Sequence, residues 1–165
     1  MPEIARIVDQ LEREHSGDPW HGSPLHAILD DLSATDAAAR PIPEGHSIWE
    51  LVLHITGWKN EVRRRLSGAP AGEPERGDWP APGEPSDARW REAIAGLDRA
   101  HQDLVDAVRA LPESALHTPT NDPRNRPPGA GVSYYVLLHG VVQHDVYHAG
   151  QIAILKKEVE GRGSE

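Results

Sequence analysis

The stretch from His139 to Lys157, "HGVVQHDVYHAGQIAILKK", decides how this sequence folds. Apolar residues and histidines recur in it every three or four positions, which is the period of one face of an α-helix. The pattern extends to both sides, so we predict one long helix from Ser133 to about Glu160. Its predicted buried face consists of Leu137, Val141, His144, His148, Gln151 and Leu155. Two histidines therefore stand where a buried helix normally carries leucine.

Two segments near the start of the chain have the same period. The first has an apolar stripe that begins after Pro2, pauses at "SGDPWHGSP" and resumes behind Ser23 as the N-cap residue. This pattern predicts a bent or broken helix. The second segment opens with a capping box between Ser47 and Glu50, and its apolar face continues to Leu66.

A third helical segment lies between two stretches that are dense in proline and glycine. It starts near Ser86 or Asp87, ends before Pro112 and has His101 on its apolar seam. The flanking stretches, residues 67–87 and 117–131, are predicted loops.

Four amphipathic segments predict an all-α four-helix bundle that forms a single domain over residues 1–165. The 21-residue connection from residue 67 to residue 87 is long enough to run the length of the bundle. We therefore expect the second and third helices to be parallel.

Composition narrows the function classes. The chain has 17 basic and 26 acidic residues, and a net charge of −9 counts against binding to nucleic acid. It has no cysteine, which excludes disulfides and a cysteine nucleophile. No stretch approaches the roughly 18 apolar residues of a membrane span, so we expect no membrane partner and a cytoplasmic location.

The histidines are the main functional signal. His144 and His148 are four residues apart, so both rings project from one side of a helix and can share a metal ion. The motif is HDVYH, and Asp145 is one methylene short of the glutamate that a zinc protease motif requires. A third ligand must come from another helix, and His54 is favoured because it lies mid-helix among apolar residues. The competing candidates are His21, His46, His101 and His139. Of these, His101 comes closest, as a supporting partner or an extra ligand.

Three segments, "HSIWELVLHITGW", "GLDRAHQDLVDAVRALP" and above all "LLHGVVQHDVYHAGQI", resemble the DinB-like superfamily, which is related to the YfiT-type metal-dependent hydrolases. The segment "PWHGSPLHAILDDLS" also fits, so the resemblance spans nearly the whole chain. It implies a four-helix bundle with up-down-down-up topology. It further implies a divalent ion, typically zinc or nickel, on His54, His144 and His148, and pairing of the chain as a homodimer.

Three neutral imidazoles leave a divalent ion with an open position, a pattern typical of catalytic sites. Some relatives of the superfamily are mycothiol-linked isomerases or bacillithiol S-transferases. By that analogy we expect transfer of a low-molecular-weight thiol to a small-molecule substrate, with hydrolysis of an ester or amide as the alternative. A non-enzymatic metal-binding dimer with a role in stress response is a third hypothesis. The candidates for a general base are Asp145, Tyr147 and His101.

The homodimer is also expected from the second helix. Trp49 and Leu53 are large apolar residues that lie off its main apolar face, and surplus apolar surface of this kind favours association.

Overall fold

The computed structural model describes residues 1–123 and 132–162, and within them the chain is all-helical, as predicted. The α-helices are α1 (Glu3–His15), α2 (Leu25–Leu29), α3 (Ala34–Ala38), α4 (Ile48–Leu66), α5 (Asp87–Arg109) and α6 (Tyr134–Arg162). A short 3-10 helix spans Glu113–His117. In the described residues, extended pairing is limited to one isolated bridge between Pro119 and Ser133. Residues 124–131 of the second predicted loop and residues 163–165 lie outside the described residues.

Local sequence signals set the helix starts. The predicted capping box is present at α4: the Glu50 amide donates to Ser47 Oγ at 3.2 Å, and the Ser47 amide donates to the Glu50 carboxylate at 2.8 Å. Ser86 caps α5 as expected. The predicted cap at Ser23 is wrong, because α2 begins at Leu25 behind Pro24 and has no side-chain cap.

The first predicted helix is broken more thoroughly than the pattern indicated. After α1 the chain forms only the two short helices α2 and α3, with Leu32 between them. A capping bond at the second of these, from the Asp36 amide to Ser33 Oγ, starts a new helix where the apolar stripe had predicted a continuous one.

The apolar core consists of two clusters. One joins α2 and α3 to the first halves of α4 and α5 and the second half of α6. The other joins α1 to the ends of α4 and α5 and the first half of α6. Trp49 belongs to the first cluster: it is only 2% exposed and its ring lies 5.2 Å from that of Trp90. The expectation that Trp49 adds surface for a dimer is therefore wrong, and Leu53 packs against the edge of the same cluster.

The buried face of α6 differs in register from the predicted one. The residues on it are Tyr134, Leu138, Val141, Asp145, His148, Ala149, Ile152, Leu155 and Val159. Leu137 and Gln151 are half-buried, and His144 lies at the edge of this face with a partly exposed side chain. The helix is turned so that Asp145 points into the core, where the Lys59 ammonium lies 2.6 Å from its carboxylate. Because this ion pair compensates the buried charge, Leu138 and Ile152 can take the interior positions instead of Leu137 and Gln151.

Contacts between the long helices show their relative directions. Trp49 meets Trp90 near the start of α4 and α5, and Lys59 meets His101 further along both, so these two helices run the same way. Tyr134 near the start of α6 donates its hydroxyl to the Arg65 carbonyl near the end of α4, so α6 runs opposite to α4. In the part of the chain that the structure describes, no helix combines the length and apolar character needed to cross a membrane.

Candidate metal centre

The three histidines predicted to share a metal ion meet where α4 packs against α6. His54 lies in the second turn of α4, and His144 and His148 lie one turn apart on α6. Nε2 of His54 is 3.0 Å from Nε2 of His144, and one ring nitrogen from each of the three residues lies within 4.8 Å of the others. Two imidazole nitrogens on one tetrahedral zinc ion are roughly 3.3 Å apart. The spacing therefore suits a shared ion.

The other nitrogen of each ring is held by an oxygen atom. The pairs are His54 Nδ1 with the Asp78 carbonyl (2.7 Å), His144 Nδ1 with Asp145 Oδ1 (3.2 Å) and His148 Nδ1 with Gln151 Oε1 (2.7 Å). These oxygens can only accept, so in each neutral ring the proton is on Nδ1 and the lone pair is on Nε2. Metal-binding histidines are commonly supported in this way. The donor set fits a divalent ion that prefers imidazole, such as zinc or nickel.

The environment also favours the neutral imidazoles that bind metal. Burial lowers the pKa of His54 below its ordinary value of 6.5, although the hydrogen bond to Asp78 works in the opposite direction. Burial likewise lowers the pKa of His148, against the effect of its bond to Gln151. Both rings are therefore neutral at pH 7 and available to a cation.

A segment of the connection between α4 and α5, which we call the Asp78–Trp79 clip, holds His54 in place. Besides the bond from the Asp78 carbonyl, the Trp79 ring stacks on the His54 ring, with centroids 3.9 Å apart and planes at 6°. Trp79 also stacks on His46 at 3.5 Å, and Asp78 Oδ1 accepts a hydrogen bond from Trp58 Nε1 at 2.8 Å. The sequence predicted only a loop here. An acidic residue next to an aromatic one, Asp78 and Trp79, within a stretch rich in proline and glycine was the sequence feature that could have indicated this contact.

The three candidates for a general base lie in different surroundings. Asp145 is fully buried and engaged by both Lys59 and His144. Tyr147 is 65% exposed, and its ring lies 5.0 Å from that of His148. His101 is buried away from the three-histidine cluster. None of the three has the arrangement of a general base beside the centre.

The remaining histidine candidates do not join the three-histidine cluster. His21 is exposed. His139 is in the first half of α6, where its Nε2 lies 3.7 Å from Glu3 Oε1 of α1. His46 contacts the cluster only through Trp79.

His101 belongs to a second polar group, which we call the polar layer because it separates the two apolar clusters. Each long helix contributes a buried polar or charged residue to it. These residues are Glu14 on α1, Lys59 on α4, His101 on α5 and Asp145 on α6. His15 completes the layer, with its ring stacked on that of His101 at 3.9 Å. His101 was predicted from the sequence as a buried candidate, whereas Glu14 and Lys59 were not, although each is a charged residue inside an apolar stripe.

Lys59 organises the polar layer. Its ammonium lies 2.9 Å from Glu14 Oε1, 2.6 Å from Asp145 Oδ2 and 3.3 Å from His101 Nδ1. Burial opposes its charge, but the Asp145 and Glu14 carboxylates raise the pKa of Lys59 above its ordinary value. Glu14, His15 and His101 could by spacing hold a second metal ion. The fixed ammonium among them repels a cation, so we assign the group as a structural ion-pair network.

Burial shifts the other groups of the polar layer toward their neutral forms. It raises the pKa of Glu14 to about 8, with Lys59 acting in the opposite direction. It lowers the pKa of His15 to about 4 and that of His101 to about 2, and the charge of Lys59 adds to both shifts. Asp145 is the exception: burial acts to raise its pKa, but Lys59 and His144 together more than offset this and keep the pKa of Asp145 below the ordinary value.

Within the described residues, an all-helical fold with three imidazoles brought together from two antiparallel helices fits the class of helical proteins with a candidate histidine metal site. The family comparison agrees with this class: the model of the DinB superfamily matches residues 20–152. The chain belongs to the DinB superfamily. Neither the curated proteins nor the solved structures gave a match to it.

Proposed function

We propose that this protein is a divalent-metal-dependent enzyme that transfers a low-molecular-weight thiol to a small electrophile. The observation that carries the proposal is the arrangement of His54, His144 and His148, whose Nδ1 atoms are all held by oxygens while one ring nitrogen of each lies within 4.8 Å of the other two. Three protein ligands leave a coordination position for a substrate. A divalent ion held there supplies a Lewis acid that lowers the pKa of a thiol or water molecule bound to it.

The chain's own residues prepare the site for this ion. The Asp78 carbonyl, Asp145 and Gln151 orient the three rings, and Trp79 covers the ring of His54. Lys59 holds the Asp145 carboxylate, which in turn accepts from His144. Orientation through such supporting groups raises metal affinity and limits the freedom of the ligands.

The chain has no cysteine, so in thiol transfer the nucleophile must come from a second substrate. One observation favours thiol transfer over hydrolysis. Hydrolysis usually needs a general base beside the attacking water. Asp145 and His101 are both committed to the polar layer, which leaves neither available for that role.

The test is metal analysis of protein purified without a histidine tag, followed by a turnover screen. We expect about one zinc or nickel ion per chain and turnover that requires both a thiol and an electrophile. Ester hydrolysis without thiol would favour the hydrolase alternative. Stoichiometric metal without turnover in either assay would favour the non-enzymatic metal-binding role.

We also propose that the four long helices form an up-down-down-up bundle. The contacts of α4 with α5 and α6 described above support this topology. For α1, Glu12 pairs with Arg109 near the end of α5, while His15 pairs with Asp98 nearer its middle, as expected of antiparallel helices. Glu3 near the start of α1 lies close to His139 in the first half of α6, as expected if these two helices run parallel.

We further propose a homodimer, on different residues from those that the sequence had suggested. Tyr147 and Ile154 lie seven residues apart on one side of α6 and are 65% and 60% exposed. Ile42, which is 45% exposed, lines the same shallow depression as Ile154. Large apolar side chains exposed on one side of a helix favour contact with a second chain.

A further inference from the structure

A groove between α4 and the first half of α6 opens directly beside the three-histidine cluster. Its volume is about 340 Å³, at the lower end of the roughly 300–1,000 Å³ of small-molecule sites. The lining is mostly apolar and includes Trp58, Val62, Val136, Leu137 and Val141. His144 also lines the groove, so a molecule lying in it meets a ring of the cluster at one end.

The third wall of the groove comes from the segments on either side of the isolated bridge. The Thr120 amide donates to the Val132 carbonyl at 2.8 Å, and both residues line the groove. The wall is therefore held to the start of α6 by backbone hydrogen bonds.

The charged residues of the lining disfavour a charged occupant. Arg65 is paired with Glu61 at 2.9 Å and donates to the Gly72 carbonyl at 2.7 Å. Its guanidinium also lies 5.6 Å from the Trp58 ring. Asp122 is the acidic side chain of the lining, and it too is engaged by a partner within the protein. The groove is thus suited to an uncharged apolar group.

Gly140 lines the groove without a side chain to fill it. It lies one turn before His144 on the same side of α6, and glycine inside a helix lowers stability. No described atom outside its own helix turn lies within 4 Å of the position that a Cβ would take, so packing does not require the glycine. A larger side chain there would project into the groove.

We propose that this groove is the subsite for the apolar part of the substrate, an uncharged aryl or branched alkyl group whose polar end lies beside His144. The inference rests on the proposed function only for the placement of the polar end. The apolar subsite itself rests on the lining and on Gly140.

Two metal-binding probes that differ only in their apolar part test the subsite. Benzohydroxamate and acetohydroxamate are titrated into the zinc-loaded full chain by calorimetry. We expect the phenyl probe to bind about 10-fold more tightly or better, because its ring is buried in the groove. Equal affinities would overturn the proposal.

Substitutions at two glycines of α6 test whether the preference for benzohydroxamate arises from the groove. Gly140→Leu should abolish the preference for benzohydroxamate while leaving zinc content and acetohydroxamate affinity unchanged. Gly150→Leu is the matched control, because Gly150 is also in α6 with open space around its Cβ position but lies away from the groove. Leucine has a higher helix propensity than glycine, so neither substitution should prevent the chain from folding. If Gly140→Leu keeps the preference, the groove is not the subsite.

A second measurement separates this inference from the metal proposal. If the chain binds no zinc, the proposed function fails, and the subsite is then tested in metal-free protein with benzyl alcohol by ligand-observed NMR. Binding that Gly140→Leu removes and Gly150→Leu retains would support the groove. Absence of benzyl alcohol binding would overturn it.

Discussion

Each histidine of the candidate centre has Nδ1 beside a supporting oxygen, and one ring nitrogen of each lies within 4.8 Å of the other two. A single alanine substitution removes one of three ligands, and the remaining pair holds an ion weakly. We therefore expect His54→Ala, His144→Ala and His148→Ala each to reduce bound metal from about one ion per chain to near zero. Elemental analysis of protein after dialysis against trace zinc measures this.

Histidines outside the cluster provide the controls for these substitutions. His139→Ala and His46→Ala should retain stoichiometric metal, since neither residue belongs to the cluster. The assignment of ligands would be wrong if His54→Ala kept its metal while His101→Ala or His21→Ala lost it.

Glu14 makes the stability of the fold depend on pH. Its pKa is about 8 in the folded protein, against an ordinary value of 4.5. Between these values the folded chain holds a proton that the unfolded chain has released, so the free energy of unfolding falls as pH rises. His15 and His101 act in the opposite direction, and their effect continues to about pH 7.5, because at pH 6.5 the unfolded chain still holds about half of their protons.

We therefore expect the metal-free protein to lose about 1 kcal/mol of stability between pH 6.5 and pH 8, as the decrease from Glu14 exceeds the remaining gain from His15 and His101. Glu14→Gln should remove most of this decrease, because the amide does not titrate. Urea unfolding of the parent chain and of Glu14→Gln at the two pH values, with chelator present, gives the change in the free energy of unfolding for each protein. The same decrease in the variant as in the parent chain would show that another group is responsible.

At the scale of helices and loops, the features predicted from the sequence were those that local chemistry determines. The capping box at Ser47, the cap at Ser86 and the long last helix all depend on residues within a few positions of each other. The register of α6 did not follow from its own sequence, because its turn toward Asp145 depends on Lys59 of α4. Pairing between distant helices decided which face was buried.

In the candidate centre, too, some features could be predicted from nearby residues, while others depend on distant parts of the chain. The helical spacing of His144 and His148 and the apolar neighbours of His54 were sufficient to predict that these three residues come together. The Asp78–Trp79 clip was not predictable in this way, since a backbone carbonyl has no sequence signature and its position depends on the path of the loop.

The Asp78–Trp79 clip leads to a prediction for the connection between α4 and α5. Trp79→Ala should remove the ring that stacks on His54 and loosen the segment that supports it, with a loss of about 10-fold in metal affinity. Competition with a chromophoric chelator measures the affinity. Trp20→Ala is the matched control, because the Trp20 side chain is fully exposed and should leave the affinity unchanged. Equal affinities in the two variants would mean that the clip does not support the centre.

At the scale of the whole molecule, the exposed apolar residues of α6 predict that the chain forms a homodimer. We expect light scattering at micromolar concentration to give about twice the chain mass of 18.1 kDa. Ile154→Glu would place a charge in the proposed interface and should shift the mass toward that of one chain. Trp20→Glu, a similar change at an exposed apolar residue elsewhere, should not. A mass of one chain for the unaltered protein would exclude the homodimer.

Metal binding should couple to folding, because the ligands come from α4 and α6, which the unfolded chain does not hold together. An ion that binds only the folded chain stabilises it by about 2.7 kcal/mol at 100 times the dissociation constant. A chelator should therefore lower the melting temperature of the parent protein and leave that of His54→Ala unchanged. A melting temperature that is the same with and without chelator would contradict the coupling.

The pH dependence of this stabilisation follows from the same residues. Protons compete with metal for neutral imidazole, and burial places the pKa values of His54 and His148 below the ordinary 6.5. The metal-dependent stabilisation should thus be fully present at pH 7 and disappear as pH falls below 6.5, because protonated imidazole cannot bind the ion. Melting curves with and without chelator across this range measure the difference directly. A difference that stayed constant down to pH 4 would indicate that the metal is held by carboxylates, and the three histidines would then have only a structural role.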